Sequence, residues 1–121
     1  MTAKRVRGRL RREKRVDQTL HLSGKRRGAV LKEEVWHEGG HVVKYSLAYI
    51  NPRICGVDNG RVLGYDNTHE YHHRHFMGRV ETIEFKGYQA LLTRFEREVR
   101  ALWAAEVEDE NEEKRKSPRN E

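Results

Sequence analysis

The eleven positions from Tyr65 to His75 read Tyr-Asp-Asn-Thr-His-Glu-Tyr-His-His-Arg-His, and four of the chain's seven histidines fall within the last seven of them. An imidazole with an ordinary pKa near ~6.5 exchanges its proton close to neutrality, so a group of them supplies a donor and an acceptor at one pH. Arg74 adds a guanidinium whose planar fork fits a phosphate. Asp66 has the chemistry to orient an imidazole, as a carboxylate holds a catalytic base. Tyr65 and Tyr71 bring phenols or stacking surfaces. These are the parts of metal-independent RNA cleavage. One group takes the 2′-hydroxyl proton, another protonates the leaving oxygen, and a cation stabilises the charged phosphorane. The candidate catalytic residues are Tyr65, Asp66, His73, Arg74 and His75. His73 and His75 serve as base and acid in either order, Arg74 stabilises the phosphate, and Asp66 orients an imidazole.

Blander assignments compete with this one. A run of histidines is also an ordinary solvated loop. His73 and His75, two apart on an extended segment, suit a divalent metal on one side, with Asp66 as a third ligand. No His-Glu-x-x-His occurs, so a zincin site is not supported. Cys55 is the one cysteine, which excludes an internal disulfide and a Cys-rich zinc centre. The glycines match neither a P-loop nor a dinucleotide fingerprint, and no cofactor is expected. Trp36 and Trp103 read as core, His41 as structural or exposed, and Cys55 as a strand residue.

The elements that carry the cluster follow from hydrophobic periodicity. Residues 29–37 read as a strand, and Gly39-Gly40 is a hairpin signal. Residues 41–50 alternate Val43, Tyr45, Leu47 and Tyr49 against Val42, Lys44, Ser46, Ala48 and Ile50, as the two faces of a strand do. Asn51-Pro52 ends it, and Asp58-Asn59-Gly60 marks a turn. Residues 61–66 form a third strand, a His-rich loop runs from Asn67 to Gly78, and residues 79–85 form a fourth strand. From Gly87 to about Glu106 the period changes. Leu91, Leu92, Phe95, Val99, Leu102 and Trp103 line one side of an amphipathic helix. The expected fold class is α+β: a small antiparallel meander of about four strands, covered on one face by the C-terminal helix, with a basic N-terminal arm.

The chain has 121 residues, of which 36% are charged and 36% hydrophobic, so it holds one small domain. Its net charge of +6 is unevenly placed: residues 1–28 hold eleven Lys/Arg and two acids, whereas the remainder is net acidic. The arm, disordered or helical, carries the candidate nucleic-acid contacts Arg5, Arg7, Arg11, Arg12, Arg15, Lys25, Arg26 and Arg27. It lacks the aromatics that stack on single strands. The domain is expected over 29–105, and residues 106–121 as a disordered charged tail. No apolar run reaches the ~20 residues a bilayer span needs. No secretory signal or membrane partner is expected, and the chain reads as cytoplasmic.

Tyr65-Asp66-Asn67, followed by His72-His73-Arg74-His75, resembles the Tyr-Asp-Asn … His-His-Lys-His pattern of TumE-type toxins, the toxin components of bacterial and archaeal two-gene toxin–antitoxin modules. Lys44-Tyr45-Ser46-Leu47 before the motif, and the short strand and helix after it, are similar too. The resemblance spans about residues 29–105. Arg74 stands where lysine is common, and the stretch Thr68 to Tyr71 is shorter than in many members. The resemblance implies a type II toxin neutralised by a helix-turn-helix antitoxin. Action on RNA, as a ribonuclease, comes from the residue types above. The alternatives are a non-catalytic nucleic-acid-binding module that uses the arm, and a metal-dependent nuclease that uses Asp66, His73 and His75.

Overall fold

A computed structural model describes residues 11–116. Six strands form one antiparallel sheet in sequence order: β1 (Arg12–His21), β2 (Val30–Glu38), β3 (His41–Ile50), β4 (Arg61–Asp66), β5 (His73–Phe76) and β6 (Arg79–Thr82). One helix, α1 (Tyr88–Lys116), follows. The α+β meander covered by a C-terminal helix is therefore present, with two strands more than the sequence predicts.

The three central strands lie where their alternation puts them. Gly39 and Gly40 both take positive φ, 58° and 82°, which is the backbone a two-residue primed turn requires between β2 and β3. The core is built from one face of the central strands, Val35, Tyr45, Leu47, Tyr49, Leu63 and Tyr65, all 2% exposed or less. Against it lie Leu91, Phe95 and Val99 at i, i+4 and i+8 of α1, each about as deeply buried as the strands they cover. Among the described residues the other face of the sheet carries no helix.

The two added strands correct the expected layout. Arg12–His21, set outside the sheet by its charge, is the edge strand β1, paired residue for residue with β2 across one bulge. Only Val16 and Leu20 are apolar on its inward parity, so periodicity hardly marks it. Its charges are what an edge strand needs to discourage pairing with another chain. Arg5 and Arg7 lie outside the described residues. The second strand, β5, comes from the His-rich loop. It folds back on β6 through Met77-Gly78, both at positive φ. Strand β6 stops at Thr82, and Ile83 and Phe85 pack on the core from an irregular segment.

The helix also outruns its apolar stripe. Residues 106–116, expected as a disordered tail, continue α1 to Lys116. Their surfaces are mostly exposed, so glutamate and lysine propensity sustains the helix there rather than burial. Lys114 and Arg115 near its end complement the helix dipole. Arg26 and Lys25, in the turn after β1, fasten its flank to Glu106 at 3.1 Å and Glu110 at 3.8 Å. Cys55, expected in a strand, lies buried in the loop after β3, its thiol donating to Val57 O.

Phe95 carries the docking of α1 onto Tyr65. Phe95→Ala is expected to lower unfolding free energy by about 3–5 kcal/mol in urea titrations. A loss below about 1 kcal/mol would contradict a helix seated on this face.

Candidate functional site

Strands β4 and β5 pair with Gly64 opposite His75, Tyr65 opposite Arg74, and Asp66 opposite His73. Successive residues of a strand point to opposite faces. The five residues chosen from sequence are therefore divided. Asp66, His73 and His75 share the open face. Tyr65 and Arg74 share the face under α1.

On the open face His75 is held at both ring nitrogens. Its Nε2 lies 2.8 Å from Asp66 Oδ2, and Arg61 Nη2 lies 3.1 Å from its Nδ1. A guanidinium only donates, so Nδ1 accepts, the proton sits on Nε2, and Nε2–H donates to Asp66. Arg61 is itself gripped by Asp58, at 2.8 and 3.0 Å. His73 stands beside this set, its Nδ1 3.7 Å from Asp66 Oδ1 and its ring centroid 6.2 Å from that of His75. Burial raises the Asp66 pKa, but the Thr68 backbone N–H and His75 outweigh it and hold the carboxyl below its ordinary value.

Arg61 was missed in the sequence because parity misleads. From Tyr65 backwards, alternation puts residue 61 under the helix. A bulge at Val62, where Tyr49 faces Leu63 and Ile50 faces Arg61, returns it to the open side. Gly64 makes room for it: a Cβ there would sit 2.5 Å from Arg61 Cδ. The pair Arg61 and Gly64, three apart, is the one signal available beforehand.

Under the helix, Tyr65 and Arg74 are locked by a residue of α1. Tyr65 Oη donates to the Glu98 carboxylate, Arg74 Nε donates to Tyr65 Oη at 3.1 Å, and Arg74 Nη2 reaches Glu98 at 3.2 Å. Burial, then Glu98, pushes the Tyr65 phenol up to about 12, so it stays protonated. Burial works against the Arg74 charge, but Glu98 and Tyr65 more than restore it. Arg74, expected to meet a phosphate beside the histidines, is thus on the other side of the sheet from them.

The remaining motif residues serve the fold. The Asn67 amide accepts from Tyr45 N at 3.1 Å and donates to Val43 O at 2.9 Å, extending the ladder where β4 leaves β3. His72 turns under the helix, its ring stacked on Phe85 at 4.1 Å, and Tyr45 Oη lies 2.8 Å from its Nδ1. His69 sits in a turn at φ 62°. Among the arm cations, Arg12 pairs with Glu38, Arg15 with Glu13, and Lys25 with Glu110. Arg26 stacks on Trp103 and bonds its carbonyl, so it acts as a latch on α1. Arg11 opens the described chain, and Arg27 closes the 3-10 turn through its N–H to Gly24 O. Among the described residues no group of three or more His, Cys, Asp or Glu is placed to hold a metal ion.

The family model for toxin TumE matches residues 6–103. The chain belongs to the TumE toxin family. It is thus a toxin of a toxin–antitoxin module. The match begins well before residue 29, so residues 6–28 of the basic arm lie within the TumE region, in keeping with β1 as part of the sheet. It ends at Trp103, short of the acidic end of α1. No curated protein and no solved structure matches this toxin. Among the described residues no helix is long and apolar enough to cross a membrane.

His72 gives a pH test of this geometry. Burial first, then the neighbouring His73, lowers its pKa in the folded state. The folded protein thus binds that proton less readily than the unfolded chain. The stability this contributes is complete above about pH 6.5 and shrinks as pH falls below it. His72→Asn, which keeps an acceptor for Tyr45, is expected to flatten the dependence of unfolding free energy on pH between 7 and 5. An unchanged slope in urea titrations at several pH values would contradict the half-buried neutral imidazole.

Proposed function

We propose that this toxin acts on RNA, cleaving the backbone without a metal ion through the open-face set His73, His75, Asp66 and Arg61. The observation that carries this reading is His75 clamped between a carboxylate and a guanidinium, with a second imidazole beside it, on a sheet face left open to solvent. Asp66 holds Nε2–H and so leaves Nδ1 as the acceptor nitrogen beside Arg61, the arrangement in which a carboxylate positions a catalytic base. Arg61 caps that base nitrogen at 3.1 Å. A phosphate competes with His75 for the Arg61 Nη2 donor, since a charge-assisted pairing is stronger than one to a neutral imidazole, and leaves Nδ1 free to take the 2′-hydroxyl proton. The 2′-oxygen then attacks phosphorus. His73, in its protonated form, gives its proton to the departing 5′-oxygen, and Arg61 balances the charge of the phosphorane. The products are a 2′,3′-cyclic phosphate and a 5′-hydroxyl.

In this reading Tyr65 and Arg74 fix the hairpin to α1 and leave the chemistry to the other face, with Arg61 in the role the sequence assigned to Arg74. The arm cations of β1 add capture of the phosphate backbone, and a helix-turn-helix antitoxin in the cytoplasm restrains the activity. A metal-dependent nuclease is less well supported, because among the described residues Asp66, His73 and His75 do not form a group placed to hold a metal ion.

The test is purified full-length protein mixed with bulk cellular RNA in EDTA. Cleavage is expected, and His73→Ala and His75→Ala should each slow it by about 10²–10⁴-fold while melting like the parent. RNA that stays intact in EDTA and is cut when magnesium is restored would remove the metal-free mechanism. Full activity in both histidine variants would remove the site.

A further inference from the structure

A second feature of the open face lies next to the histidines. A cavity of about 220 Å³ opens there, lined by Lys32 and Glu34 of β2, Ser46, Ala48 and Ile50 of β3, and Asp58, Asn59 and Arg61 across from them. Strand register fixes its place. Lys32 pairs with Ala48, Ala48 with Gly64, and Gly64 with His75 in one row. Glu34, Ser46, Asp66 and His73 form the next. The cavity thus shares the Arg61 guanidinium with the proposed reaction centre, and its middle is floored by Ala48.

Its size selects what enters. The volume is below the ~300 Å³ of the smallest pockets that enclose a drug-sized ligand. It is that of one flat ring system rather than a whole nucleotide. Its walls are polar and of both signs: the Lys32 ammonium donates, the Glu34 carboxylate accepts, and the Asn59 amide does both. Glu34 is steadied by Lys14, whose Nζ lies 2.9 Å from its Oε2, and a carboxylate has lone pairs beyond those one ammonium takes. Beyond Glu34 on the same face stands Trp36, with the Lys14 and Lys44 ammonium groups 4.9 and 4.7 Å from its ring. Cations therefore border the cavity on the side away from Arg61, where an anionic backbone would leave it.

We propose that this cavity is the base subsite of the reaction centre, that it takes the nucleobase adjoining the phosphate bound by Arg61, and that Glu34 makes it favour bases bearing an amino group. Adenine, cytosine and guanine each offer an exocyclic N–H₂ to a carboxylate; the one donor of uracil, N3–H, stands between two carbonyl oxygens, which Glu34 repels. The assignment rests on the RNA reading above, with binding separable from cleavage.

The experiment measures fluorescence anisotropy of full-length protein with seven-residue uridine RNAs, 2′-O-methylated throughout so that they cannot be cut, each with A, C, G or U at the centre. Wild type is expected to bind an amino-bearing centre roughly tenfold more tightly than the all-uridine strand. Glu34→Gln should bring the two within about twofold. Ala48→Leu, which fills the cavity floor, should weaken all four by roughly tenfold with an unchanged thermal midpoint. If that variant melts early, the Glu34→Gln comparison decides alone. Equal wild-type affinity for all four centres overturns the role of Glu34. Binding by both variants that matches wild type overturns the subsite and leaves the RNA reading standing. No binding of any strand by wild type, together with intact RNA in the cleavage assay, overturns both.

Discussion

The alternation of side chains across the β4–β5 hairpin is the constraint on which the site depends. One register sends Asp66, His73 and His75 to the open face and Tyr65 and Arg74 under the helix. A slip of a single residue would exchange the two sets and bury the imidazoles. The covered side prevents that slip. Tyr65, Arg74 and Glu98 bond one another across strand, strand and helix, and each polar group there has a partner. The lock is remote from the proposed chemistry, yet it determines which residues can take part.

The division also explains why so polar a motif fits a small fold. Two neighbouring charged clusters on one face would repel or quench each other. With the sheet between them, Glu98 neutralises Arg74 on one side, and Asp58 and Asp66 share Arg61 on the other. The open-face guanidinium is held and not saturated by one partner. It caps a histidine nitrogen and remains close to where a phosphate would lie. The same side chain therefore links the proposed reaction centre and the cavity beside it.

Much of the fold was legible in the sequence, because β2, β3, β4 and α1 carry strong periodicity. What was hidden is informative. β1 is almost all charge, and its stability comes from pairing and from the bulge that restores its parity, neither of which composition reports. β5 is four residues long and reads as a loop until the Met77-Gly78 turn is recognised as a hairpin reversal. The end of α1 follows local propensity after its apolar stripe has ended. At the site, Asp66, His73 and His75 were found by type and spacing, and they do come together. Arg74 was grouped with them because strand parity was not applied inside an expected loop, and Tyr65 because it was not applied within the expected strand 61–66, where Tyr65 and Asp66 face apart. Arg61 escaped because a bulge overturns parity where it starts its strand.

The state of the His75 ring is the most direct measure of whether this face is built for proton transfer. Nitrogen-15 NMR of the imidazoles, recorded before and after addition of a non-cleavable RNA, reports the proton position and the environment of each nitrogen. The expected spectrum of the free protein shows His75 as the Nε2–H tautomer, and RNA should shift its Nδ1 resonance as Arg61 leaves it while Nε2 stays bonded to Asp66. A His75 ring that exchanges freely between tautomers, or one whose Nδ1 signal ignores saturating RNA, would contradict the account.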